Sequence, residues 1–160
     1  MTTDRVWAFP VLALALSPRG GALVVFERPL RVSERQSWRK STWRYVERAC
    51  ASLQPRTILV THGARFSALA PVWRAAPRHT LPAGVQRETL RLEDACTILG
   101  CDARLPAIAA RLLDMYPEQA ARLRCFGANP RSDRARASRP LLSAFAVAHA
   151  ASIAHLIKFG

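Results

Sequence analysis

Two apolar, β-rich runs that flank a Pro/Gly turn constrain the fold of this chain more than any other sequence feature. Residues 11–16 and 22–28 are rich in Val, Leu and Ala, and the sequence Ser-Pro-Arg-Gly-Gly at 17–21 separates them. Pro and Gly between two such runs are typical of a β-hairpin, here with a five-residue loop. The chain is therefore predicted to begin with a sheet.

The rest of the first half predicts a helix, a strand and a second helix. Apolar residues at spacings of three and four predict an amphipathic helix over 43–53, closed by Pro55. Residues 57–61 form a short β-branched run, and a helical pattern follows over about residues 65–74. The first half is thus an α/β arrangement of hairpin, helix, strand and helix. The apolar face of the first helix consists of Val46, Ala49, Cys50 and Leu53.

The second half predicts helices only. Acids at 93 and 94 in a first turn, and Gly100 placed as a left-handed cap, predict a short helix over residues 92–99. Another helix is predicted over 106–116, and Pro117 either kinks it or starts a new helix that runs to residue 124. One face of the short helix carries Leu92, Ala95, Cys96 and Leu99.

The last segment predicts a loop followed by a long helix. Residues 131–139 combine four arginines with small side chains, which predicts a loop, and Ser138 is predicted to cap the helix. Alanine fills much of the remaining helix surface, which suits close packing between helices. The apolar stripe of this helix consists of Leu142, Phe145, His149, Ile153 and Leu156.

Two prolines and a glycine mark a linker over residues 77–86. It divides an α/β subdomain at 1–76 from a helical subdomain at 87–160 with three to four helices. The predicted fold class is therefore α+β.

Positive charge is the unusual property of the composition. The 160 residues include 24 Lys and Arg against 11 Asp and Glu, for a net charge of +13. Residues 88–127 carry a net charge of −1, so the flanking segments supply +14. This excess favours a polyanionic partner, RNA or DNA first and an anionic membrane surface second.

A first arginine cluster over residues 28–48 is interleaved with aromatic residues. Guanidinium groups pair bidentately with phosphate, and flat rings stack on unpaired bases, so this composition indicates RNA contact. The alternative interpretation is that the aromatics anchor the core while the arginines form a solvated helix face. The candidate RNA-binding residues in this cluster are Arg35, Trp38, Arg39, Lys40, Trp43 and Arg44.

A second arginine cluster lies in the predicted loop before the last helix. Such a loop can adapt to a phosphate backbone and become ordered on binding. A solvated connector is the alternative. The candidate residues are Arg131, Arg134, Arg136 and Arg139.

No catalytic, cofactor-binding or metal-binding residue is identified. The four cysteines lie 46, 5 and 24 positions apart and include no C-x-x-C pair, which predicts ordinary thiols in a reducing compartment. Residues 58–65, Ile-Leu-Val-Thr-His-Gly-Ala-Arg, resemble the second histidine motif of the histidine phosphatases. Their nucleophilic Arg-His-Gly motif is absent, because no histidine precedes His62. His62 is therefore predicted to be a residue at the end of a strand.

Two parts of the sequence resemble proteins that act on or bind nucleic acids. The hairpin, helix and strand resemble ribonuclease H-like nucleases, but the first strand lacks the carboxylate that two-metal chemistry requires. The two helices between residues 92 and 113 resemble a helix-turn-helix. The second of them offers Arg104 and Arg111 to DNA together with Asp102 and Asp114. A helix-turn-helix DNA-binding protein stays an alternative.

Residues 92–157 also resemble the J-like fold. The resemblance rests on Leu-Glu-Asp-Ala-Cys-Thr-Ile-Leu-Gly at 92–100, Phe-Gly-Ala-Asn at 126–129 and Ser138-x-x-Leu141-x-Ser143. It is closest to the degenerate J-like subunit of the mitochondrial presequence translocase motor, which lacks the His-Pro-Asp tripeptide, as this chain does. The resemblance implies a fold and a mitochondrial setting, not an activity.

These observations favour a non-catalytic, strongly basic structural subunit of a large assembly, with RNA and neighbouring protein subunits as partners. An RNA-binding component of a mitochondrial ribosome fits this description best. A supernumerary or J-like subunit of a mitochondrial inner-membrane complex, facing anionic lipid, is a second alternative. No small-molecule substrate is expected, and the expected location is mitochondrial or another reducing intracellular compartment.

Overall fold

The computed structural model describes residues 6–17, 20–38, 44–61, 84–119 and 133–159. Its first three strands form an antiparallel meander: β1 (Val11–Ser17), β2 (Gly20–Arg28) and β3 (Arg31–Trp38). Ser17 pairs with Gly20, so the predicted five-residue loop is wrong and only two residues connect β1 to β2. The two glycines that indicated a turn belong to β2 instead.

The sequence analysis missed β3. This strand carries one aliphatic residue, Val32, and otherwise consists of Arg, Ser, Glu, Gln and Trp. It lies at the edge of the sheet and pairs with β2, where polar residues are tolerated because one flank of the strand is open. The alternation of apolar and polar residues is therefore too weak in this segment to predict a strand.

A helix on one face connects the meander to the rest of the sheet. This helix, α1 (Arg44–Leu53), precedes β4 (Thr57–Thr61), which pairs in parallel with β1, and β5 (Gln86–Thr89) pairs in parallel with β4. The predicted helix and the strand at 57–61 are confirmed, whereas β5 was not expected. The five strands lie in the order β3-β2-β1-β4-β5.

Three further helices cover the opposite face of the sheet. They are α2 (Leu92–Leu99), α3 (Leu105–Met115) and α4 (Asp133–Phe159), with a short 3-10 helix at Pro117–Gln119. The first two agree with prediction to within one residue at each end, and Gly100 takes the left-handed cap with φ 72°. The predicted helix at 65–74 lies outside the described residues.

The long helix begins earlier than predicted. α4 starts at Asp133, so Arg134, Arg136 and Arg139 lie on a helix and the prediction of a loop is wrong for residues 133–139. Ser138 is inside the helix and does not cap it. Arginine and alanine before Pro140, and leucine and alanine after it, favour helix, and the helix accommodates this proline in its interior.

Alternation along the strands divides the core into two clusters. Val11, Ala13 and Ala15 of β1 contribute to the cluster that faces α2, α3 and α4, while Leu12 and Leu14 contribute to the cluster that faces α1. In the described part of the chain the sheet thus lies between one helix and a layer of three, and the predicted α+β class is confirmed. The division into subdomains at 1–76 and 87–160 stays a prediction.

The strands give the sheet two distinct ends. β1, β3, β4 and β5 all run in one direction and β2 runs against them. We call the end at which those four strands finish the carboxyl end of the sheet. The opposite end, at which they begin, is the amino end.

Candidate nucleic-acid interface

The direction of α4 follows from its contacts with β2 and the turn after it. The ring centroids of Phe145 and Phe26 lie 5.7 Å apart, and the backbone N–H of Leu30 donates to Ser152 Oγ at 3.0 Å. Residue numbers therefore rise together along α4 and β2. The start of α4 must lie toward the carboxyl end of the sheet, where β2 begins.

The spacing of residues places the start of α4 more closely. Asp133 precedes Phe145 by about 18 Å of helix, at about 1.5 Å per residue. Gly20 precedes Phe26 by about 20 Å of strand, at about 3.3 Å per residue. The first turn of α4 is therefore level with the start of β2, at the carboxyl end of the sheet.

α1 also begins at this end. Only three residues connect Leu53 to Thr57 at the start of β4, so α1 finishes at the amino end of the sheet. Its buried Val46, Ala49 and Cys50 pack on the face of the sheet opposite α4. A helix of ten residues is about 15 Å long, similar to the five residues of β4, so Arg44 lies near the level of Thr61.

α2 is the third helix that starts at the carboxyl end. Leu92 follows the last residue of β5 by three positions, and the backbone N–H of Leu90 donates to the carbonyl of Val60. The amino termini of α1, α2 and α4 thus lie at one end of the sheet. Each contributes the positive end of its dipole, which favours anions.

Two residues of the first arginine cluster, Trp38 and Arg44, lie at this end. Trp38 is the last residue of β3 and pairs with Gly21, while Arg44 is the first residue of α1. Arg39, Lys40 and Trp43 lie outside the described residues and belong to the segment that connects these two positions. The cluster therefore joins the ends of two elements that both lie at the carboxyl end of the sheet.

Arg35 is placed differently from the rest of its cluster. It is half-buried in β3, opposite Val24, whose side chain belongs to the core cluster under the three-helix layer. Its guanidinium donates a hydrogen bond to Gln119 Oε1 at the end of the 3-10 helix. The structure thus gives Arg35 a packing role between the edge strand and the helical layer.

The second arginine cluster occupies the start of α4. Arg134, Arg136 and Arg139 lie in its first two turns, and Arg131 lies outside the described residues. Because the start of α4 is level with Gly20 and Trp38, the structure brings Arg134, Arg136 and Arg139 to the same end of the sheet as Trp38 and Arg44. In the sequence they are separated by about ninety residues.

Sequence reasoning missed one cation at this end. Arg91 is exposed and lies between β5 and α2, with its Nε 3.7 Å from Glu93 Oε2. Arg91 lies within residues 88–127, whose net charge is −1, so counting charge by segment gave no sign of it. The signal that was available is its position two residues after the β-branched Thr89 and just before a helix whose first turn carries two acids.

The described residues include no cluster of ligands that could hold a metal ion. β1 carries no acidic residue, and no three His, Cys, Asp or Glu side chains there are close enough to hold a metal ion. The last residue of β4, Thr61, pairs with Ala15 and is buried. Its hydroxyl has no hydrogen-bond partner within the described part of the chain.

The titratable groups in the core are neutral. Burial raises the pKa of Cys50, and burial together with the neighbouring Cys101 raises that of Cys96 to about 12. Burial lowers the pKa of His149 to about 4, assisted by the charge of Arg111. Cys50, Cys96 and Cys101 are free thiols, and Cys125 lies outside the described residues. Cys50, Cys96 and His149 are therefore packing residues.

The helix-turn-helix candidate has an exposed second helix. Arg104 precedes α3 and Arg111 lies within it, both exposed, as are Asp102 and Asp114. α3 presents both signs of charge to solvent. This surface lacks the positive excess found at the carboxyl end of the sheet.

One helix is long and apolar enough to cross a membrane by length and composition. It is the segment Pro140–Phe159 of α4, and most of it is buried inside the protein. Its alanines at 144, 146, 148, 150 and 151 are fully buried against the sheet and the neighbouring helices. In this fold the segment is the central helix of the core.

Comparison of the chain with protein-family models, with curated proteins and with solved structures finds no match. The resemblance to the J-like fold stays a prediction.

Proposed function

We propose that this protein is a non-catalytic RNA-binding component of a large assembly and that it contacts RNA phosphates at the carboxyl end of its sheet. The observation that carries the proposal is that the described members of two arginine clusters distant in sequence lie at this end. They are Trp38 and Arg44 of the first cluster and Arg134, Arg136 and Arg139 of the second. Three helix amino termini add their dipoles to the same region. In open α/β sheets, ligands bind outside the carboxyl ends of the strands, which agrees with this location.

RNA is preferred to duplex DNA because of the aromatic residues in the first cluster. Trp38 ends β3 at this surface, and Tyr45 lies in the first turn of α1 with the exposed Arg48 guanidinium 5.9 Å from its ring centroid. Planar side chains among arginines suit unpaired bases, which RNA loops and bulges supply. Within the proposal, the assembly is an organellar ribosome.

Charge reversal at the start of α4 tests the proposed interface. The double variant Arg134→Glu/Arg136→Glu is compared with Arg104→Glu/Arg111→Glu. The second pair changes the net charge equally but lies at α3, where Arg111 is near His149, about 22 Å along α4 from Arg134. Binding of the full chain to a structured RNA is measured over a range of salt concentrations. The first variant is expected to bind about tenfold more weakly, with a log–log salt slope shallower by about 1.5 to 2, because about two phosphate contacts are lost.

The matched control is expected to retain its affinity within about twofold, since distant charges are screened at physiological salt. Equal losses in both variants would show a diffuse charge effect and contradict a local interface. A loss restricted to the control, together with a sequence-specific footprint on duplex DNA, would establish the helix-turn-helix alternative instead.

Sedimentation of the endogenous protein tests the assembly. Co-migration with ribosomal RNA that is released at high salt is the expected result. Migration with a membrane complex after ribonuclease treatment would contradict the ribosomal assignment.

A further inference from the structure

The last turn of α4 exposes apolar side chains at the amino end of the sheet, far from the proposed RNA interface. Leu156, Ile157 and Phe159 are 38%, 71% and 64% exposed. The ring of His155 packs against Phe9 and Phe159, with centroid distances of 5.3 and 4.9 Å. We call residues 155–159 the α4 tip.

A lysine lies within the α4 tip, and an arginine lies close in the structure to Phe9, which packs on His155 of the tip. Lys158 lies between its two most exposed apolar residues, and its Nζ is 6.0 Å from the Phe159 ring centroid. The exposed Arg56 is held close to Phe9, because its backbone N–H donates to the carbonyl of Pro10 at 2.9 Å.

The turn between β2 and β3 brings a further cation to this end. Leu30 of this turn is hydrogen-bonded to Ser152 of α4, and Arg28 pairs with Arg31 across it. Glu27 is the acid beside them, and its carboxylate is held by Arg31 at 2.7 Å. Arg28 and Arg31 are both exposed, so the turn adds positive charge beside the tip.

We propose that the α4 tip docks this protein on an anionic phospholipid surface. Protruding apolar side chains flanked by Lys and Arg are the pattern of proteins that lie at a membrane interface, with apolar groups among the acyl chains and cations among the headgroups. A second copy of the chain is a poor occupant, because it would bring the same cations and another +13 of charge to the interface. The tip inserts and the rest of α4 stays in the core, so the protein lies on the membrane and does not span it.

This proposal does not depend on RNA binding, since the two surfaces lie at opposite ends of the sheet. The test uses the full chain and co-sedimentation with vesicles of phosphatidylcholine alone or mixed with phosphatidylserine. The variants are Ile157→Ser/Phe159→Ser, Lys158→Glu and, as a matched control, Met115→Ser, which removes an apolar side chain that is 39% exposed on α3.

Binding is expected only to the vesicles that contain phosphatidylserine. The double variant at the tip is expected to bind them about tenfold more weakly and Lys158→Glu several-fold more weakly, while Met115→Ser matches the wild type. Affinity for RNA is expected to stay unchanged in the tip variants. Unfolding curves check that each variant is folded. We expect all of them to fold, because the substituted side chains are exposed.

Three results would overturn the proposal. Equal binding by the double tip variant and the wild type would show that the tip is not the contact. Loss of lipid binding in Arg134→Glu/Arg136→Glu alone would assign it to the arginine clusters. A dimer in sedimentation experiments that Ile157→Ser/Phe159→Ser dissociates, without lipid binding, would identify a second copy as the occupant.

Discussion

At the scale of single residues, the pair Tyr116 and His149 shows how this core accommodates polar groups. Tyr116 Oη and His149 Nδ1 share a hydrogen bond of 2.7 Å, and both side chains are buried. The Tyr116 ring packs edge-on against Phe26, Phe145 and His149. The sequence placed His149 on the apolar stripe of the last helix, but its partner is 33 positions away and periodicity gives no sign of it.

The depressed pKa of His149 predicts a pH-dependent stability. Below pH 6.5 the unfolded chain takes up a proton at this residue, which the folded core excludes until about pH 4. The free energy of unfolding therefore falls as the pH drops through this window, by about 3 kcal/mol at most. Urea unfolding of the wild type and of His149→Phe between pH 7 and pH 4 measures this contribution.

The difference in stability between wild type and His149→Phe is expected to shrink or reverse toward pH 4, because the variant cannot titrate there. The missing partner of Tyr116 lowers the stability of the variant by a constant amount at every pH. A difference that does not vary with pH would contradict a buried, neutral His149.

At the scale of elements, the sequence predicted the helices and strands that carry a regular pattern of apolar residues. It did not predict features that depend on contacts between elements. α1, α2 and α3 were predicted to within a residue or two, because a helix buried on one face has apolar residues at spacings of three and four. β4 was predicted because a strand buried on both faces is a continuous apolar run. β3 escaped because an edge strand can be polar along most of its length. The hairpin was found with the wrong loop, since glycine is compatible with both a turn and a strand.

The sequence predicted which residues belong to the candidate site but not where the fold places them. The two clusters and their charges are local in the sequence, and so they were identified. Their meeting at one end of the sheet depends on the direction of α4 over β2, which the hydrogen bond from Leu30 to Ser152 and the packing of Phe145 on Phe26 reveal. No local signal carries that information.

Gly100 allows a direct test of the cap on α2. Its φ of 72° lies in the left-handed region, and a Cβ built on it meets no atom within 4 Å. Gly100→Ala is therefore expected to lower the free energy of unfolding by about 1 kcal/mol through backbone strain alone. Gly100→Asn is expected to cost less, since Asn tolerates this conformation, and an equal loss in both variants would contradict the explanation.

The buried alanines of α4 predict that the same substitution, Ala to Leu, changes stability much more at a buried position than at an exposed one. Ala146 is fully buried in the core, whereas Ala110 is exposed on α3. Ala146→Leu is expected to destabilise the fold by about 1–3 kcal/mol because the added carbons have no room. Ala110→Leu is expected to change stability by less than about 0.5 kcal/mol, since both residues favour helix. Comparable effects of the two substitutions on chemical denaturation would show that α4 is not packed as described.

At the scale of the whole molecule, the charged residues are distributed unevenly between the two ends of the sheet, which the net charge of +13 does not show. Arg44, the arginines in the first two turns of α4 and the amino termini of α1, α2 and α4 lie at the carboxyl end of the sheet. Exposed apolar residues with a few cations lie at the amino end. This polarity predicts an anion-binding surface at one end and an interfacial surface at the other, with the packed core between them.

Photo-crosslinking from the two ends of the sheet tests this account most directly. A benzophenone analogue of phenylalanine replaces Tyr45 in the first turn of α1 or Phe159 in the last turn of α4, so each substitution exchanges one aromatic side chain for another. After irradiation with bound RNA, efficient crosslinking from position 45 and little from position 159 is the predicted result. Crosslinking from position 159 and not from position 45 would contradict an RNA interface at the carboxyl end.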